Sequence, residues 1–156
     1  MATEAQVYDF EGQLELAVQA FFEASDIIAI KPGDDPQFQK ERPRIELQVV
    51  VGPATGHLQP VTLDGEAAKL VHDAYTGSLM LAVLTEADYA KHVAYRTKIR
   101  AQVSRLIYLT TLDYHELEDV VPAGASQVLS PEDGTFESHL TYNLAFCVKS
   151  DAWPET

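Results

Sequence analysis

The stretch FESHLTYNLAFCVKSDAW, residues 136–153, decides the fold class. Leu140, Tyr142, Leu144, Phe146 and Val148 recur at every second position and are large and apolar. His139, Thr141, Asn143, Ala145, Cys147 and Lys149 between them are small or polar. A period of two sends the sets to opposite faces of a β-strand. The spacing therefore predicts a long closing strand, with one face on a core and the other free for water or a neighbouring subunit. A turn leads into it: in Ser130-Pro131-Glu132-Asp133-Gly134 proline presets φ and glycine takes the left-handed position.

Two helical patterns upstream can cover the apolar face. In residues 12–25, Leu14, Ala17, Val18, Phe21 and Phe22 recur at helical spacing, with Gln13, Glu15, Gln19 and Glu23 elsewhere. Residues 88–106 read as a longer helix, with Glu86 or Asp88 placing negative charge at its start. Its apolar stripe is Tyr89, Val93, Ile99 (or Arg96), Val103, Leu106 and Ile107, and its solvated face carries Lys91, Lys98, Arg100 and Arg105.

The remaining strands follow from the same alternation. IIAI (27–30) reads as a short buried strand. RIELQVVV (44–51) puts Ile45, Leu47, Val49 and Val51 on one face and Glu46 and Gln48 on the other. SLMLAVLT (78–85) is apolar on both faces, which predicts a central strand covered on both sides or lying at a subunit contact. HELEDVV (115–121) and SQVL (126–129) read as strand pieces. Residues 52–66 read as a short hairpin or a loop, and residues 66–74 as a short helix. The whole predicts one α+β domain over residues 1–156: a mainly antiparallel or mixed sheet of about 4–6 strands with two principal helices packed on one face. Residues 1–11 form a flexible arm in this reading, 31–43 an extended loop and 150–156 a tail.

Composition narrows the function. With 11 Lys and Arg against 24 Asp and Glu, the net charge is −13, so free binding to nucleic acid, which draws its affinity from basic side chains, is disfavoured. The first residues hold no basic run followed by an apolar one, and no stretch approaches the ~18 apolar residues of a membrane span, so neither a secretory leader nor a membrane location is expected. Cys147 is the single cysteine, which excludes a disulfide within the chain and any cysteine-based zinc cluster; on a strand it reads as a packing residue.

Motifs of chemistry are missing. VVVGPATGHL has glycines after a strand but neither the P-loop lysine nor the dinucleotide-binding spacing. His57, His72, His92, His115 and His139 are scattered without zinc-site spacing. His115-Glu116 with Glu118 and Asp119 is the densest group of potential ligands, yet strand alternation divides it between two faces and makes it a charged edge. Asp34-Asp35 lacks calcium-loop spacing. No nucleophile elbow frames a serine, and no two carboxylates are paired in an apolar setting. No catalytic residue, cofactor or metal is expected.

The order of elements, with RPRIELQVVVG, AYTGSLMLAVLTE followed by YAKHVAYRTKIRAQVSRL, and the closing TYNLAFCVKSDAW, resembles the tail terminator family of long-tailed bacteriophages over roughly residues 5–153. That resemblance implies a structural virion protein, assembled in the host cytoplasm and located at the tail or neck. It would form a six-fold ring of copies on the head-proximal end of the tail tube, stopping tube growth and meeting the head–tail connector. Partners would be further copies, the tail tube protein and connector or neck proteins. DNA would pass through the lumen unbound, which suits an acidic wall. The polar loop 31–43 offers Asp34, Asp35, Phe38, Lys40 and Arg42 for partner docking. The turn before the closing strand offers Pro131, Glu132, Asp133 and Phe136. Alternatives are another neck, head-closure or tail-completion protein and, in a different class, a small cytoplasmic α+β binding domain or an unrecognised enzyme.

Overall fold

A computed structural model describes residues 9–34, 41–54, 61–63, 66–68, 74–86, 88–108, 115–124, 126–131 and 134–148. The first helix, α1 (Phe10–Glu23), begins two residues earlier than its apolar pattern suggests, because Asp9 caps it by accepting from the Gly12 amide at 3.1 Å. Asp26, with φ of +59°, turns the chain out of the helix into β1 (Ala29–Ile30). β2 (Arg44–Ala54) and β5 (Ala74–Glu86) are long antiparallel neighbours. α2 (Tyr89–Val103) is capped by Asp88, which accepts from the Lys91 amide, and is followed by a 3₁₀ turn at Leu106–Tyr108. β6 (His115–Pro122), β7 (Val128–Leu129) and β8 (Thr135–Val148) complete the main sheet.

That sheet has six strands in the order β1-β2-β5-β8-β6, with β7 paired to β8; β1 runs parallel to β2 and every other pairing is antiparallel. The fold is α+β, with both helices on one face. The closing strand expected from residue 136 onward is β8, and its apolar set faces the helices: Leu140, Tyr142, Leu144 and Phe146 are all buried. Register aligns them in rows, Val49–Leu79–Tyr142 and Leu47–Leu81–Leu140, beneath Leu14, Val18 and Phe22 of α1 and Ile99 and Val103 of α2. Burying each such side chain contributes about 1.5–3 kcal/mol.

Three expectations need correction. Residues 66–68 are not helical: β3 (Val61–Leu63) and β4 (Glu66–Ala68) form a separate antiparallel hairpin with Leu63 opposite Glu66. Asp64-Gly65, the pair between them in sequence, is one that two-residue hairpins favour and outweighs the helix propensity of EAA. Residues 69–73 of the expected helix lie outside the described residues. β5 is central, but cover on both sides within the chain is overturned, because only one face is sheltered throughout: on the other, Met80 is exposed and Ala82 half-buried, with only Leu84 buried, and the alternative of a subunit contact there is a matter for proposal. The stripe of α2 is rotated as well, since Tyr89 and Ile107 are exposed and His92 is fully buried.

Candidate functional site

An opening in the sheet lies on the face away from the helices. Register brings Glu46, Ala82 and His139 into one row and Gln48, Met80 and Thr141 into the next. A depression of about 420 Å³ lies over these rows, with Ile30, Lys31 and Pro32 also lining it. Its two flanks are ordered by local pairs on alternate residues of a strand. On β2 the buried Arg44 donates from Nε and Nη2 to Glu46 Oε1 at 3.2 and 3.1 Å, and from Nη1 to the Glu41 carbonyl at 3.1 Å. On β8 the His139 ring lies 3.6 Å from Glu137. Between the flanks the floor is apolar and exposed at Met80, and Val50 beyond it is exposed too.

Both long edges of the sheet are closed to a further strand among the described residues. Past the two-residue β1, the β2 edge is covered by α1: Glu15 Oε2 accepts from the Val49 amide and Glu11 Oε1 from the Val51 amide, each at 2.9 Å. The pairing works because carboxylates four apart on a helix are about 6 Å apart along its axis, close to the ~6.7 Å between alternate strand residues. The β6 edge carries a bulge between Leu117 and Asp119, exposed Glu118 and Asp119, and Pro122. Bulges, charge and proline all resist edge pairing.

The residues expected to dock partners are placed as follows. Asp34 is engaged within its own turn. It accepts from the Lys31 amide at 3.0 Å, the Lys31 ammonium at 2.9 Å and the Gln19 amide at 2.7 Å. The Lys31 amide foremost, then the Lys31 ammonium and Gln19, hold its carboxyl below the usual aspartate range. Gln19 also donates to the Ala29 carbonyl, so this cluster fixes the entry of loop 31–43 beside the depression. Arg42 is half-buried ahead of β2, and Pro131 is exposed at the turn before β8. Phe136 is on β8 and packs edge-on against Tyr89, ring centroids 5.9 Å apart, and obliquely against His92 at 5.8 Å. Asp35, Phe38, Lys40, Glu132 and Asp133 lie outside the described residues.

Sequence reasoning missed a polar cluster beneath Phe136. His92 Nδ1 is 2.7 Å from Thr85 Oγ1 and His92 Nε2 is 2.7 Å from Ser138 Oγ. Arg96 Nη1 donates to Ser138 Oγ and to the Ser126 carbonyl, both at 3.4 Å. A neutral ring donates at one of these nitrogens and accepts at the other, and each hydroxyl can take the complementary role. Burial first, and the Arg96 charge second, push the imidazole pKa below its ordinary value and keep the ring neutral. A serine beside a histidine invites a nucleophilic reading, but His92 and Ser138 are both 0% exposed, so no substrate reaches them. The arrangement fastens α2 to β5 and β8. The signal for it was a histidine in the second turn of a helix whose apolar stripe is incomplete.

Among the described residues no three His, Cys, Asp or Glu side chains gather closely enough to hold a metal, and no helix is long and apolar enough to cross a membrane. No model of a known protein family matches the chain, and no curated protein matches it.

Proposed function

We propose that the chain is a structural subunit of a long-tailed bacteriophage particle, similar to tail terminators, whose copies assemble into a ring at the head-proximal end of the tail tube. The observation that carries this reading is the open centre of the sheet's outer face, an apolar floor at Met80 between ordered polar flanks, in a molecule whose two long edges resist strand pairing. Copies then meet through faces, and a head-to-tail contact repeated around an axis closes a ring. The sequence resemblance supplies the six-fold ring, the tube and connector as partners, and DNA as passing cargo. Lys31 and Pro32, where loop 31–43 begins, line the depression, and that loop is the segment proposed to meet the tube or connector. The net charge of −13 suits a lumen that phosphate must slide past, and makes assembly favour higher salt.

Electron microscopy of lysates from a source strain lacking this gene tests the proposal. Tails of abnormal length beside filled, unjoined heads are expected. Normal-length free tails would move the protein to the neck, and normal infectious particles would overturn the reading. A second reading, a small ligand-binding domain, is favoured by a cavity beside Tyr142.

A further inference from the structure

On the helix side of the sheet, between the C-terminal half of α2 and the connection from β6 to β7, lies a cavity of about 390 Å³. Val103, Val120, Pro122 and Tyr142 give it apolar walls, and the exposed Arg100, Ser104 and Gly124 complete its lining. A second cavity of about 240 Å³ shares Arg100, Pro122, Gly124 and Tyr142 with it. The walls are held in place by the protein itself. The Ala123 amide donates to the Thr141 carbonyl at 2.9 Å, the His139 amide donates to Ser126 Oγ at 2.9 Å, and Arg96 reaches the Ser126 carbonyl. A preformed site avoids the ordering cost of binding.

Two groups in this lining lack an answering partner. Tyr142 is only 6% exposed, it lines both cavities, its hydroxyl forms no hydrogen bond among the described residues, and the Arg100 charge acts on it. Burial raises its pKa, against the opposing charge of Arg100, so it remains a neutral donor. Arg100 forms no ion pair among the described residues, in a chain with 24 carboxylates to 11 basic side chains. One guanidinium fork, one neutral O–H donor and apolar walls match a monoanion with an apolar body. A phosphate dianion would require more donors than these two.

We propose that this cavity binds a carboxylate carried on a compact apolar body, its oxygens on the Arg100 guanidinium and the Tyr142 hydroxyl and its body against Val103, Val120 and Pro122. The volume lies within the range of small-molecule sites. The inference does not rest on the ring. The same chemistry is offered by a free organic acid and by an acidic side chain of a second copy.

The test is an NMR titration of the full chain with benzoate and, separately, with benzamide, which keeps the shape and removes the charge. Benzoate should shift the signals of Val103, Val120 and Tyr142 with millimolar affinity, and benzamide should bind at least about tenfold more weakly. Arg100→Gln should weaken benzoate binding about tenfold or more and Tyr142→Phe about two- to tenfold, while Arg105→Gln, outside the cavity, should leave it unchanged. Equal binding of benzamide, undiminished binding by Arg100→Gln, or no shift far above millimolar concentration would each overturn the proposal. Sedimentation with and without benzoate separates the sources. A fall in mass assigns the cavity to a carboxylate of a second copy, and an unchanged mass assigns it to a free acid.

Discussion

The two helices rest on the same face of the same sheet but are fastened to it by different physics. α1 lays Leu14, Val18 and Phe22 onto β2 and closes the strand's edge with Glu11 and Glu15. α2 buries Ile99 and Val103 in its later turns, but in its second turn the group in the core is an imidazole held by two hydroxyls. Apolar attachment is tolerant of geometry and pH. A buried hydrogen-bonded ring depends on every partner being present and on its own charge state, because unpaired polar groups in a core are costly.

The contrast can be broken at its strongest points first. Phe22→Ala, which leaves a cavity under α1, should lower stability by about 3–5 kcal/mol in urea denaturation. His92→Ala should cost about 2–4 kcal/mol, from the void and from stranding Thr85 and Ser138. The combined variant Thr85→Val, His92→Leu, Ser138→Ala should recover most of that loss, since replacing all partners by apolar groups removes the unsatisfied atoms. If it is no more stable than His92→Ala, the cluster is not the fastening described here.

Acid should discriminate the helices as well. The folded-state pKa of His92 is below its ordinary 6.5, so the unfolded chain takes up this proton first. The stability linked to His92 is therefore complete above pH 6.5 and declines as pH falls from 6.5 to the lower folded value. The Leu variant should lack this part of the profile, measured as the urea midpoint against pH. Asp34, with its carboxyl held low, adds a loss only at more acid pH, below the ordinary aspartate value of 3.8.

At the edge, Glu15→Ala should cost about 1 kcal/mol through one lost charge-assisted bond, and adding Glu11→Ala should promote association through the freed β2 edge. Unchanged mass for the double variant at high concentration would show that something other than these carboxylates guards the edge.

The same contrast explains what the sequence revealed. β2, β8 and α1 alternate or repeat cleanly because they bury hydrocarbon, so their faces and the α+β class were legible, whereas β5, apolar on both faces in sequence, did not show which face the helices cover. α2 hid part of its buried face because His92 looks like a solvent-facing residue until Thr85 and, from far along the sequence, Ser138 are brought beneath it. The hairpin at 61–68 was half legible: residues 52–66 read as a short hairpin or a loop, but EAA carries helix propensity that only pairing with Val61–Leu63 overrides. Gly77 is another position fixed by long-range structure, since a Cβ there would lie 2.8 Å from the Val50 carbonyl oxygen. The docking residues were chosen from loop polarity. Asp34 and Phe136 instead engage neighbours within the chain, while the depression around Met80 comes from three strands and has no local signature.

The measurement that bears most directly on the proposed assembly is sedimentation of the wild-type chain and of Met80→Lys at moderate salt, with urea denaturation confirming equal stability. The account predicts a ring-sized oligomer for the wild type and a folded monomer for Met80→Lys, because a charge is placed on the apolar floor of the outer face. A wild type that stays monomeric, or an oligomer that Met80→Lys leaves intact, would contradict it.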